Sequence, residues 1–333
     1  MRRLEYCITE QEDGWSVEHF LKQRQGFGKK QISRLKFRQE GLLLNGERCR
    51  VNQILRQGDC LGITLDSQGK ARRQQEGYEA PQGQGIQELK IPDQEIQNQK
   101  ITVIYEDEDV LAVYKPSGIP VHPSHGHGRD TLWNLVISYQ QIKGQQWTPR
   151  AVGRLDRDTS GIVLFAKNTE AAAALAAQRQ EKTLRKLYIA EATGRLEEKE
   201  GTIDLSIEKD PDFLNRMRAG REGLAAATHY RVLQERVDKS LLLLELEQGR
   251  THQIRVHLSA TGHPVTGDSI YNEVYLKGDR SCQKLRLHAG YVSFRQPFTR
   301  KEIVLEAPFP EWMEEWKSEE LIPGQVMVVS TKL

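Results

Sequence analysis

The run Arg154-Leu155-Asp156-Arg157-Asp158 sets acid and base side by side just ahead of an apolar stretch, Ile162–Ala166. If the run is extended, Arg154, Asp156 and Asp158 share one face and Leu155 and Arg157 the other, because side chains alternate along a strand. Neighbouring guanidinium groups favour the charged form of a carboxylate. A carboxylate on a loop anchored by a rigid strand can serve as a nucleophile or a base. Two other readings use the same residues. An Asp–Arg pair can simply fix a turn. Alternatively, Asp156 and Asp158, about 6.6 Å apart along a strand, match the separation of an inverting carboxylate pair, which would make the protein an N-glycosidic hydrolase that releases a free base.

A second cluster is cationic. Residues 22–38 carry seven basic side chains, among them Lys29, Lys30, Arg34 and Lys36, and no acidic one. Clustered Lys and Arg release counterions from a nucleic-acid backbone, whereas a merely solvated face normally mixes both signs. Metal chemistry is not expected. His252 and His257 are five apart rather than four, and His122, His125 and His127 sit in a Gly-rich loop near a single acid, Asp130, a poor ligand set for zinc. No glycine fingerprint for a nucleotide cofactor is found, so no cofactor is expected.

These groups need elements to hold them. Val17, Phe20 and Leu21 lie at helical spacing, and Ile32, Leu35 and Phe37 give the apolar positions of a second helix from about Lys30. The turn Asn45-Gly46 signals a hairpin, and a last strand falls near Cys60–Leu65. Further on, helices are expected at Thr131–Lys143 and at Thr169–Lys182, with Thr169 as N-cap. Strands are expected in Ile101–Lys115 and at Ile162–Ala166, Tyr188–Ala192, Thr228–Gln234, Leu241–Leu246, Leu285–Phe294 and Glu302–Leu305. The two kinds do not alternate regularly, so the spacing predicts an α+β fold with a mostly antiparallel sheet. Residues 66–100 hold nine Gln and few large apolar groups, which reads as a linker with a short strand near Leu89–Ile91.

The chain of 333 residues suggests two domains. Its four cysteines are scattered, which excludes a disulfide scaffold or a zinc ribbon and suits a reducing compartment. No run reaches the roughly 18 apolar residues of a membrane helix, and the first residues lack the apolar core of a signal peptide. A cytoplasmic protein without membrane contact is expected. With 48 basic and 46 acidic residues the net charge is +2, so only the distribution of charge is informative.

The sequence then carries two resemblances. RLDRDTSG, followed by the apolar strand and Lys167-Asn168, resembles the signature of RNA pseudouridine synthases of the RluA/RluD type. Further blocks follow in order over residues 101–310: Lys115-Pro116-Ser117-Gly118 with Val121-His122-Pro123; Lys186-Leu187-Tyr188; Gly249–Leu258; Gly262-His263-Pro264 with Gly267-Asp268; and Leu287-His288-Ala289. Gly153 stands where many members have His, and Tyr114 where Asn or Asp is common. Residues 14–65 resemble the small RNA-binding domain named after ribosomal protein S-four.

The first resemblance implies that the protein isomerises uridine in RNA without a cofactor. It makes Asp156 the essential residue, acting on the ribose as nucleophile or as base. Arg154 would fill the space left by the flipped base and pair with the Asp, Tyr188 would stack on the uracil, Arg255 would ion-pair with Asp156, Leu287 would wall the pocket, and Lys115 would contact substrate. On residue type alone, Tyr188 would be an ordinary core aromatic. The expected organisation is an RNA-binding domain at 1–65, with Lys29, Lys30, Arg34 and Lys36 on RNA, a linker at 66–100 and a catalytic domain at 101–333. A monomer is expected, with ribosomal rather than transfer RNA as partner. A catalytically idle RNA-binding protein is the remaining alternative.

Overall fold

The computed structural model describes residues 2–65, 101–123, 130–272 and 284–316. The expected linker, with its strand near Leu89–Ile91, as well as His125, His127 and Cys282, lie outside the described residues.

The first unit contains β1 (Arg2–Cys7), α1 (Val17–Gln23), α2 (Lys29–Phe37), β2 (Leu42–Leu44), β3 (Glu47–Arg48) and β4 (Cys60–Leu65). Its sheet runs β1-β4-β2-β3, antiparallel throughout. Ser16 caps α1 by accepting from the His19 N–H. Asn45 and Gly46 both take positive φ, as the tight β2–β3 turn requires. On α2, Ile32 and Leu35 are buried while Lys29, Lys30, Arg34 and Lys36 are exposed.

The larger unit is built on ten strands: β5 (Thr102–Glu106), β6 (Val110–Lys115), β7 (Arg150–Ala151), β8 (Ser160–Ala166), β9 (Arg185–Thr193), β10 (Glu200–Asp204), and, beyond the separate hairpin β11 (Ile207–Lys209) and β12 (Met217–Ala219), β13 (Ala227–Glu235), β14 (Lys239–Leu246), β15 (Leu287–Arg295) and β16 (Glu302–Glu306). The main path is β10-β13-β14-β9-β15-β8-β6-β5, with β16 on β15 and β7 on β8. Among the described residues every pairing is antiparallel except β8 with β15. Three helices accompany it: α3 (Leu132–Ile142), α4 (Thr169–Gln180) and α5 (Gln253–Ala260). Thr131 caps α3. The cap of α4 is Asn168 rather than Thr169: the Asn168 side chain accepts from the Ala171 N–H, and its amide donates to the buried Asp109, so this residue ties the helix to the sheet.

Strand alternation divides the sheet into two faces. Val110, Ala112, Ile162, Leu164, Val292 and Phe294 face one core, which also holds α4 and the apolar residues of the first unit. There the Phe27 ring meets Phe298 edge-on at 6.3 Å, and Arg2 pairs with Glu108. Leu111, Val113, Val163, Phe165, Tyr188 and Leu287 face the other core, beneath α3 and α5. All of β8 is buried, which explains its unbroken apolar sequence. Where β8 meets β15, Gly161 has φ +121°, and a Cβ there would lie 2.2 Å from the Ala289 carbonyl oxygen, so only glycine fits.

Candidate active site

The loop that carries Asp156 is sewn to the turn after β6. The Lys115 ammonium donates to the carbonyls of Arg157 at 2.7 Å, Ile119 at 2.8 Å and Pro116 at 2.9 Å. Ser117 Oγ donates to the Asp158 carbonyl at 2.7 Å, and the Gly118 N–H to that of Arg157 at 3.0 Å. Lys115 is completely buried, and burial pulls its pKa down to about 7 against the attraction of Asp158 and Asp156. The side chain expected to contact substrate is thus beneath the loop and touches backbone.

Above it opens a cleft of about 1150 Å³ on the Tyr188 face of the sheet. Asp156, Arg154, Tyr188, Arg255 and Leu287 all line it; Lys115 and Asp158 do not. Arg157, the next residue along, engages the Asp158 carboxylate through Nε at 3.0 Å and Nη2 at 3.1 Å. The loop is therefore not an extended strand offering two free carboxylates, and the Asp156–Asp158 dyad of a hydrolase is not formed.

Arg255 projects from α5 with its Nη1 3.7 Å from Asp156 Oδ2. The rest of its guanidinium is gripped by Asp268, with Nε to Oδ2 at 2.7 Å and Nη2 to Oδ1 at 2.8 Å. Asp268 is fully buried and also accepts from the Ile270 and Tyr271 N–H groups. Burial works against the Arg255 charge, but the Asp268 pair more than restores it and raises its pKa. A bidentate carboxylate fixes the plane of a guanidinium, so Asp268 decides where the remaining Nη1 points. The Tyr271 ring lies 5.1 Å from the same guanidinium, and its hydroxyl is 2.8 Å from His252 Nδ1. His252, in the left-handed conformation ahead of α5, is held neutral by burial in spite of nearby Asp156. Sequence reasoning assigned no role to Asp268, His252 or Tyr271; the Gly267-Asp268 block was the available signal for the first.

Tyr188 stands on β9 and belongs to one apolar cluster with Leu287 and Leu155. Burial first, then the Asp156 charge, raises its phenol pKa, so the hydroxyl stays protonated. Arg154 is exposed on the cleft wall and forms no ion pair with Asp156 among the described residues; Arg255 makes that contact instead. His122 also lines the cleft, kept neutral by burial and by the Arg154 charge. The wall is cationic: Arg179, Lys182, Arg185, Lys186 and Arg250 join Arg154 and Arg255. Among the described residues no group of His, Cys, Asp and Glu side chains could hold a metal ion.

Residues 109–260 match a protein family described as RNA pseudouridylate synthase. A Bacillus subtilis protein named uncharacterized RNA pseudouridine synthase YhcT is 36% identical over 94% of this chain and 96% of its own length. The ribosomal large subunit pseudouridine synthase D of Nitrosomonas europaea is 37% identical over 64% of this chain and 63% of that protein. Among solved structures, human RNA pseudouridylate synthase domain containing 1 superimposes with a TM-score of 0.56 at 26% identity, covering 70% of this chain and 95% of that one.

Proposed function

The chain belongs to the RNA pseudouridylate synthase family and isomerises uridine in RNA; from that premise we propose that Asp156 carries the reaction and that ribosomal RNA is the substrate. The reading rests on one observation above all. Asp156 lies 3.7 Å from an arginine whose other donors are spent on Asp268, in a cleft walled by Tyr188 and Leu287.

The reaction breaks the N1–C1′ bond, turns the uracil and forms a C5–C1′ bond. One proton leaves C5 and one is taken up at N1, so the composition of the RNA does not change and no electron acceptor or group donor enters. A stacked uridine must first be flipped out. Tyr188 then offers an aromatic face for the free base, and Leu287 closes the apolar side. Asp156 acts on the ribose, at C1′ as nucleophile or at C2′ as base, while Arg255 orients its carboxylate. Arg154, on the exposed wall, faces the gap left in the RNA. Lys115 contributes by positioning the Asp156 loop.

The exposed cations of α2, Lys29, Lys30, Arg34 and Lys36, support an RNA-binding role for the first unit, which resembles the domain named after ribosomal protein S-four. Ribosomal RNA is favoured over transfer RNA by the name of the Nitrosomonas relative. We propose a monomer in the cytoplasm; no described helix is long and apolar enough to cross a membrane.

Asp156→Asn tests the assignment, because it keeps the shape and removes the charge. It is expected to abolish isomerisation while RNA affinity and thermal stability stay near wild type. Appreciable turnover by the purified variant would remove Asp156 from this role. Mapping pseudouridine in ribosomal RNA from cells with and without the protein tests the substrate; release of free uracil would point to a hydrolase instead.

A further inference from the structure

One cation in the cleft has an environment that base isomerisation does not use. Arg179 is exposed in the last turn of α4 and forms no ion pair among the described residues. By contrast, neighbouring Lys182 and Arg185 are held by Glu247 and Glu245. The Arg179 guanidinium lies between two glycines of different loops. A Cβ on Gly249 would stand 2.5 Å from its Nη2, and a Cβ on Gly153 would stand 3.6 Å from its Nη1. Gly153 is three residues ahead of Asp156, at the position where many RluA/RluD-type sequences have His. The missing side chains leave the room that the guanidinium occupies.

We propose that Arg179 is a phosphate clamp, holding through its guanidinium fork a backbone phosphate of the RNA beside the flipped uridine. The inference rests on reading this cleft as the RNA-isomerising site. Phosphates are the only anions an RNA strand brings, and a planar guanidinium binds their oxygens in pairs. The carboxylates that line this part of the cleft, Glu245 and Glu247, pair with Arg185 and Lys182 instead, and the charge of Arg179 reaches Lys186, whose pKa burial and Arg179 together lower to about 8. A phosphate placed there would relieve that repulsion. Arg179 and Tyr188 line the same cleft, so the clamp shares the space of the proposed base platform. Arg179 is thus a binding and positioning residue and takes no part in bond making.

Three full-length variants test the clamp: Arg179→Gln, Arg179→Lys and Gly249→Ala. Each is assayed for binding to a uridine-rich RNA oligonucleotide across a salt series, and for isomerisation of transcribed large-subunit ribosomal RNA. Each phosphate that is no longer neutralised lowers the salt slope by about 0.7–0.9. Over a roughly fourfold rise in salt, wild type should therefore lose about threefold more affinity than Arg179→Gln. KM should rise in Arg179→Gln, with kcat at saturating RNA retained. Arg179→Lys should recover the salt slope, since it keeps the charge, but only part of KM, since it lacks the fork. Gly249→Ala keeps every charge and displaces the guanidinium, so it should raise KM as Arg179→Gln does. A wild-type slope and KM in Arg179→Gln would overturn the proposal, as would a fall in kcat at unchanged KM. A wild-type KM in Gly249→Ala beside a defective Arg179→Gln would overturn the glycine-bounded geometry. If wild type fails to turn over the transcript, the ribosomal reading is lost, and oligonucleotide binding still decides the clamp.

Discussion

Asp156 shares the charge of Arg255 with a second, fully buried carboxylate, Asp268, and this division governs the residue-scale chemistry. The carboxylate proposed to carry the reaction meets one guanidinium nitrogen rather than two, and the bidentate geometry belongs to its competitor. Asp156, Tyr188, Arg255 and Leu287 could be found from the signature blocks because each sits inside a contiguous run. Arg179 and Tyr271 could not, since both lie outside those runs and become neighbours of the site only in the folded chain. Tyr188 separates two possible duties. Its raised pKa disfavours a phenolate base, which points to stacking. Tyr188→Phe should accordingly keep most of the single-turnover rate, and Tyr188→Ala should lose roughly 1–3 kcal/mol of binding to the base. If Phe fails as badly as Ala, the hydroxyl moves a proton.

At the scale of elements, the site depends on how the turn after β6 holds the loop before β8. The family resemblance implied Lys115 as a substrate contact. Strand β6 instead carries its last residue inward, and three carbonyls converge on the ammonium. Lys115→Met preserves the length of the side chain and strands those carbonyls. It should lower unfolding stability by at least about 2 kcal/mol in urea titrations and reduce kcat more than RNA affinity. A variant that loses affinity but keeps kcat would make Lys115 an RNA contact after all. The long central strands were legible from apolar runs, but β1, β7, β10, β11 and β12 carry no such run and were not expected, and the cap of α4 was misplaced by one residue because Thr169 and Asn168 are both good caps and only tertiary contact with Asp109 chooses between them. The β8–β15 junction adds a pH dependence. His288 Nδ1 lies 2.9 Å from Ser160 Oγ, and burial lowers the imidazole pKa from 6.5 to about 4. The unfolded chain therefore binds the proton more readily. The stability at stake is fully present above pH 6.5 and is lost as pH falls toward 4, on the order of 3 kcal/mol in all. Denaturation series for His288→Gln should show a shallower decline across that window; an identical decline would shift the effect to other buried histidines such as His257.

Across the whole molecule, the first unit and the sheet share one apolar core, so the cations of α2 are carried on a platform fixed to the face opposite the cleft. The basic run was plain in the sequence. Its attachment was not, because Phe27 and Phe298 are far apart in the chain and nothing in either segment marks the other as its partner. Neutralising Lys29, Lys30, Arg34 and Lys36 together should weaken binding to long structured RNA and flatten its salt slope by about 0.7–0.9 per phosphate set free. The single-turnover rate at saturating RNA should change little, since the cleft residues lie in the other unit. Unchanged binding would make the face mere solvated surface, and a collapse of the saturated rate would mean that the first unit orients the target uridine. The parallel pairing of β8 with β15 bears on the protein's biosynthesis. Ser160 and His288 are 128 residues apart in the chain, and Leu287, at the start of the same late strand, completes the cleft. A nascent chain that has already delivered Asp156 still lacks the pocket until β15 leaves the ribosome, and closing so distant a pair makes this a slow step of folding. The enzyme is translated beside the very class of RNA proposed as its substrate, yet it acquires its catalytic competence only after β15 has followed the Asp156 loop out of the ribosome.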